Sequence, residues 1–138
     1  MNINENLRGS GVVIGPSGRL TVETEQEFSG AVKRTLAAGH EFLVLDMAAV
    51  PYIDSCGLGA IAQAYVAACR RGGTMKLANV AGRTWRLLRI THLLTVFEVY
   101  DSTEAAARSF GPDLYEPPPN AADQHQEARN ASTAAMNT

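Results

Sequence analysis

Phe42-Leu43-Val44-Leu45-Asp46, seven further residues, then Asp54-Ser55-Cys56-Gly57-Leu58-Gly59: these two runs decide how the chain folds. The first is an unbroken apolar run closed by an acid, the pattern of a strand covered on both faces. The second sets Asp54 and Ser55, both N-cap residue types, directly before a helical apolar pattern. Leu58, Ile61, Ala62, Tyr65, Val66 and Cys69 follow at helical spacing, and Gly72-Gly73 ends the helix. The joining loop therefore lies at a strand's carboxyl end, where open α/β sheets keep their sites.

The same alternation continues in both directions. Upstream, Val12-Val13-Ile14 begins an extended region, interrupted by Gly15-Pro16-Ser17-Gly18 and resumed at Arg19-Leu20-Thr21-Val22. A helix is expected from Thr24, where Thr24-Glu25-Gln26-Glu27 has the form of a capping box. Its Phe28, Val32 and Leu36 share one face, and Gly39 stops it. Downstream, Met75 to Val80 reads as a strand, and Trp85, Leu88 and His92 lie along a third helix starting near Gly82. Val96-Phe97-Glu98-Val99 reads as a short strand, and Asp101-Ser102-Thr103-Glu104 opens a last helix whose Ala105, Ala106 and Phe110 can pack inward. Strand and helix alternating through short connections imply parallel strands with right-handed crossovers.

Composition breaks near Gly111-Pro112. Residues 112–138 are Pro, Ala, Asn, Gln and charge, with Leu114, Tyr115 and Met136 as the large apolar residues. Such a segment buries too little apolar surface to offset its ordering entropy, so a domain over 1–111 and a disordered tail over 112–138 are expected. The 138 residues suffice for one hydrophobic core without metal or disulfide. A net charge of −2, with 46% hydrophobic and 19% charged residues, points to neither nucleic acid nor an anionic membrane surface. No apolar run approaches a membrane span, and the start Met1-Asn2-Ile3-Asn4-Glu5 lacks a secretory pattern; a cytoplasmic protein is expected. Cys56 and Cys69 fall in separate turns of one helix, too far apart to bond, and read as reduced thiols.

Taken locally, Asp54-Ser55 is a helix cap. The position also suits a phosphate, because free N–H groups and the positive end of the dipole tolerate added negative charge. An outward-facing phosphate would obstruct a docked partner by bulk and charge without unfolding the domain. Gly57 and Gly59 each cost the helix about 1 kcal/mol relative to Ala, so close approach of a backbone or access to the serine must favour them. Cys56, at a helix N-terminus, reads as a small buried side chain rather than a redox sensor.

These two runs resemble the core of STAS domains, shared by sulfate transporters and anti-sigma factor antagonists. The resemblance spans about residues 10 to 110 and extends to Gly18-Arg19-Leu20, the Gly-Gly break, Lys76-Leu77-Ala78-Asn79-Val80, Ile90-Thr91-His92-Leu93-Leu94 and Glu104-Ala105-Ala106-Ala107. It implies a small α/β fold, a mixed β-sheet with four helices packed mainly on one face. It also implies that Ser55 is the phosphorylation site and that Asp54, Cys56, Gly57, Leu58 and Gly59 form the partner-binding loop. Unphosphorylated, such an antagonist binds an anti-sigma factor, often itself a serine protein kinase, and frees the sigma factor. Phosphorylation by ATP ends the binding, and a serine phosphatase resets it. The resemblance implies no cofactor or metal, no nucleic acid or membrane partner, and a monomer or weak dimer. Three departures stand out: Cys56 replaces a second hydroxyl residue, Thr21 stands where many antagonists carry an Asp, and Gly15-Pro16-Ser17-Gly18 interrupts a strand that is normally more continuous, after a poorly matched amino-terminal strand.

Enzymatic catalysis is not expected, since no His or Lys is placed by a turn to activate Ser55. His40, His92 and His125 have no ligand spacing. Arg70, Arg71, Arg83, Arg86 and Arg89 read as solvated surface, and Trp85 as core. A structural or regulatory subunit of a stress-signalling or lipid-transport assembly, with no phospho-switch, is the alternative.

Overall fold

Val12 and Ile14 point to one side of a strand and Val13 to the other, so the middle of this sheet needs cover on both faces. The computed structural model describes residues 1–8 and 11–110. In chain order they form β1 (Asn2–Arg8), β2 (Gly11–Ser17), α1 (Glu25–Ala37), β3 (Phe42–Asp46) and α2 (Ser55–Arg70), followed by β4 (Thr74–Ala78) and α3 (Gly82–Ile90). A 3-10 turn (Leu93–Thr95), β5 (Val99–Tyr100) and α4 (Thr103–Arg108) complete them. The sheet order is β1-β2-β3-β4-β5. β1 is antiparallel to β2, while β2 to β5 are mutually parallel, which makes the sheet mixed.

This order fixes where the helices go. Successive parallel strands laid down in one direction, each joined by a right-handed crossover, place every crossover helix on the same face. Phe28, Val32 and Leu36 of α1, Leu58 and Ile61 of α2 and Leu88 of α3 accordingly share one cluster with Val12, Ile14, Leu43, Leu45, Met75 and Leu77 of the sheet. α4 follows the last strand and crosses to the other face, where Ala105, Ala106 and Ala107 cover Val13, Val44, Ala78 and Tyr100. Burying each large apolar side chain contributes roughly 1.5–3 kcal/mol, so the three-helix face carries most of the hydrophobic stabilisation.

Lys76, buried on the α4 side, has its charge accounted for. Its Nζ donates to Ser109 Oγ at 2.7 Å, pairs with Glu98 at 3.2 Å and lies 4.7 Å from the Phe110 ring centroid. Phe110 in turn meets Phe42 edge-on at 5.5 Å, which pins the end of α4 to the sheet.

Several sequence expectations need correction. The polar Asn2–Arg8 run is a strand, because an edge position asks for little apolar character. β2 runs on through Gly15-Pro16 to Ser17; its ladder with β3 ends at Ile14, so Pro16 has a neighbour on one side only and its missing N–H is tolerated. Arg19–Val22 is no strand but a turn carrying a single parallel bridge, Leu20 to Ile53. The capping box at Thr24 does not form: Thr24 Oγ1 donates to Arg19 O at 2.7 Å and accepts from Thr21 N at 3.0 Å, tying the turn instead of the helix. Val66 and Cys69 of α2 are exposed, since the buried stripe passes through Ala64 and Ala68. His92 lies beyond α3 in the left-handed region, and only Val99 of the Val96–Val99 run is in a strand. The tail, with Leu114, Tyr115, His125 and Met136, lies outside the described residues. Among the described residues no helix is long and apolar enough to cross a membrane, and no three His, Cys, Asp or Glu side chains gather to hold a metal ion.

Candidate functional site

Asp46 closes β3 and its Oδ1 accepts from Ala48 N at 3.0 Å and from Asn79 Nδ2 at 3.0 Å, joining the carboxyl ends of β3 and β4. From there the chain crosses the top of the sheet, anchored by the buried side chains of Met47, Val50 and Ile53. It then enters α2 with Asp54 as N-cap in extended conformation. The carboxylate divides its work: Oδ1 accepts from Gly57 N at 2.8 Å and Oδ2 from Val22 N at 3.1 Å. The Gly57 bond is the main cause that holds the Asp54 carboxyl below the ordinary aspartate pKa; partial burial opposes it and the Val22 bond adds to it.

Ser55 is the first residue of α2 and is exposed. Its hydroxyl makes no hydrogen bond among the described residues. Cys56 is half-buried, and Leu58 is buried in the three-helix core, where it fastens α2. The two glycines differ in kind. A Cβ on Gly57 would lie 2.8 Å from the Leu20 carbonyl carbon and 2.9 Å from Ile53 Cγ1, so this glycine lets two backbones touch. Gly59 is exposed, and a Cβ there would meet nothing within 4 Å.

Residues from the turn after β2 complete the surface. A groove of about 620 Å³ runs beside Asp54, lined by Arg19, Thr21, Val22, Glu23 and Tyr52 among others. The Arg19 guanidinium sits 4.6 Å above the Tyr52 ring. Val22 is 60% exposed. Of these, the sequence drew attention to Thr21 and, within the Gly18-Arg19-Leu20 match, to Arg19; Val22, Glu23 and Tyr52 were not singled out, because the link between the two segments is tertiary. The sequence signal for the contact itself was the misplaced Gly57, which demanded a close neighbour. Arg83, Arg86 and Arg89 are exposed on α3, away from the Asp54 groove lining, and Trp85 packs against the core.

The surface thus offers an unhindered hydroxyl at a helix start, a loop anchored by buried side chains and a polar groove; among the described residues it gathers no nucleophile–base pair. Comparison with solved structures places the fold. A candidate anti-sigma factor antagonist of Thermotoga maritima superposes with a TM-score of 0.74 at 24% identity, over 78% of this chain and 92% of that one. An anti-sigma factor antagonist of Mycobacterium paratuberculosis gives 0.71 at 22%, over 78% and 92%. The Bacillus cell fate determinant SpoIIAA in its phosphorylated form gives 0.62 at 15%, over 78% and 99%. The STAS domain family model matches residues 2–106, strand β1 through most of α4, and the chain belongs to the STAS domain family.

Proposed function

We propose that the protein is an anti-sigma factor antagonist: unphosphorylated, it binds an anti-sigma factor that is itself a serine protein kinase, and phosphorylation of Ser55 ends the binding. The observation that carries this reading is the exposed Ser55 hydroxyl at the first position of α2, unengaged by any described residue. A phosphate there gains from the helix dipole by about 0.3–1 kcal/mol at an exposed site, so the domain tolerates it. Facing outward, the same phosphate adds close to two negative charges to whatever surface a partner covers. The domain acts by binding and not by catalysis, in the cytoplasm, with a serine phosphatase restoring the active form.

Intact-mass spectrometry tests the reading. Wild type and Ser55→Ala are incubated with ATP and lysate of the source organism, with phosphatases inhibited. One phosphate on wild type and none on Ser55→Ala is expected. No gain by either, in a lysate that phosphorylates a control antagonist, would point instead to a structural or regulatory subunit without a phospho-switch.

A further inference from the structure

The segment after β2 runs beside the residues that lead into α2. Leu20 N donates to Tyr52 O at 3.0 Å, and Asp54 N donates to Leu20 O at 3.3 Å. These bonds hold the near end. The turn beyond is a unit of its own: Thr24 N and Glu25 N both donate to Thr21 O, at 3.0 and 2.8 Å, and Thr24 Oγ1 closes it from inside. Its far side reaches the helix through the bond from Val22 N to Asp54 Oδ2 at 3.1 Å. The Val22 side chain beyond that bond is one of five large hydrophobic residues left exposed among the described residues.

Building on the reading of Ser55 as phosphoacceptor, we propose that Asp54 is a positioning residue: it locks the Thr21–Thr24 turn to the first turn of α2, so that the exposed Val22, which lines the groove with Asp54, is the apolar contact by which a protein kinase recognises the site at the adjacent Ser55. Both carboxylate oxygens accept from the protein's own amides, which suits Asp54 to this role. The turn is a unit because it is hydrogen-bonded within itself, and the Asp54 bond fixes where that unit sits on α2. Recognition then reads two segments 33 positions apart in the chain, Val22 and Ser55, as one patch.

Asp54→Asn separates the two halves of the carboxylate's work. The amide oxygen still accepts from Gly57 N, and Asn caps helices as well as Asp, but its NH2 group cannot accept from Val22 N. Amide exchange of the full chain, followed by NMR, is expected to speed up about tenfold or more at Val22 while Gly57 stays protected. Unchanged exchange at Val22 would overturn the positioning role, whatever a kinase does. With ATP and source-organism lysate, Asp54→Asn and Val22→Ala should each raise the half-saturating protein concentration about fivefold, with the maximal rate nearly unchanged. If Asp54 acts through Val22, the double variant is no worse than the worse single one; effects that multiply would refute the link. A wild type that takes up no phosphate removes the Ser55 reading and the recognition role together, and the exchange experiment still decides whether Asp54 positions the turn.

Discussion

Gly57 and Gly59 occupy the same turn of α2, and replacing each by Ala should move stability in opposite directions. Ala gains about 1 kcal/mol of helix propensity over Gly in a helix interior. At Gly59 nothing stands within 4 Å of the new Cβ, so Gly59→Ala should stabilise the domain by about 0.5–1 kcal/mol. At Gly57 the Cβ would press on the Leu20 backbone and on Ile53 Cγ1, and a backbone carbonyl cannot rotate away as a side chain can. Overpacking alone costs about 1–3 kcal/mol. Relief requires the Leu20 segment to lift, which strains the two bonds of the Leu20–Ile53 bridge, Leu20 N to Tyr52 O and Asp54 N to Leu20 O, roughly 1 kcal/mol for each bond lost. After the propensity gain is subtracted, Gly57→Ala should lose about 2 kcal/mol. Urea unfolding followed by Trp85 fluorescence reads this directly. With an m-value of about 2 kcal/mol/M, the midpoint should fall by about 1 M for Gly57→Ala and rise by about 0.3 M for Gly59→Ala. A Gly57→Ala midpoint at or above wild type would show that the Leu20 contact is not what the glycine serves.

Three further outcomes are expected. Ser55→Asp should lose binding to the anti-sigma factor and Ser55→Ala should bind constitutively; equal affinities of the two variants by calorimetry would refute the switch. The Asp54 carboxyl has a folded pKa below its unfolded one, so it stabilises the fold above the unfolded value and ceases to as pH falls through the folded value. Urea midpoints measured from pH 6 down to about pH 2 should therefore fall less steeply for Asp54→Asn than for wild type. Lys76→Met keeps the stem under Phe110 and removes a buried charge, so its melting temperature should stay within a few degrees of wild type. Lys76→Ala leaves a cavity against α4 and should lose about 2 kcal/mol by thermal unfolding.

Most of the architecture was readable because it rests on local patterns. The Phe42–Asp46 run, the Phe28, Val32 and Leu36 face and the glycine stops at Gly39 and Gly72 each carry their own signal. Gly39 and Gly72 indeed adopt positive φ, where other residues are strained. What escaped was what depends on neighbours. β1 is a strand because β2 lends it a hydrogen-bonded edge, not because Asn, Glu and Arg favour extension. Thr24 gave its hydroxyl to Arg19 and Thr21, a competition that a capping pattern cannot reveal. At the candidate site, Asp54 and Ser55 could be placed at a helix start from residue type alone. Val22 could not, since nothing in a lone exposed valine announces that its N–H ends on a carboxylate 32 residues away.

The strand order holds one more consequence. Every strand lies next to the strands that precede and follow it in the chain, so the sheet grows at one edge only, and no strand must be inserted between two already paired. A chain emerging from the ribosome can thus add each strand–helix unit onto a finished edge, with short loops to close at every step. By that order the hydroxyl of Ser55 reaches its final setting once α2 packs against α1 and β4, before β5 and α4 are added.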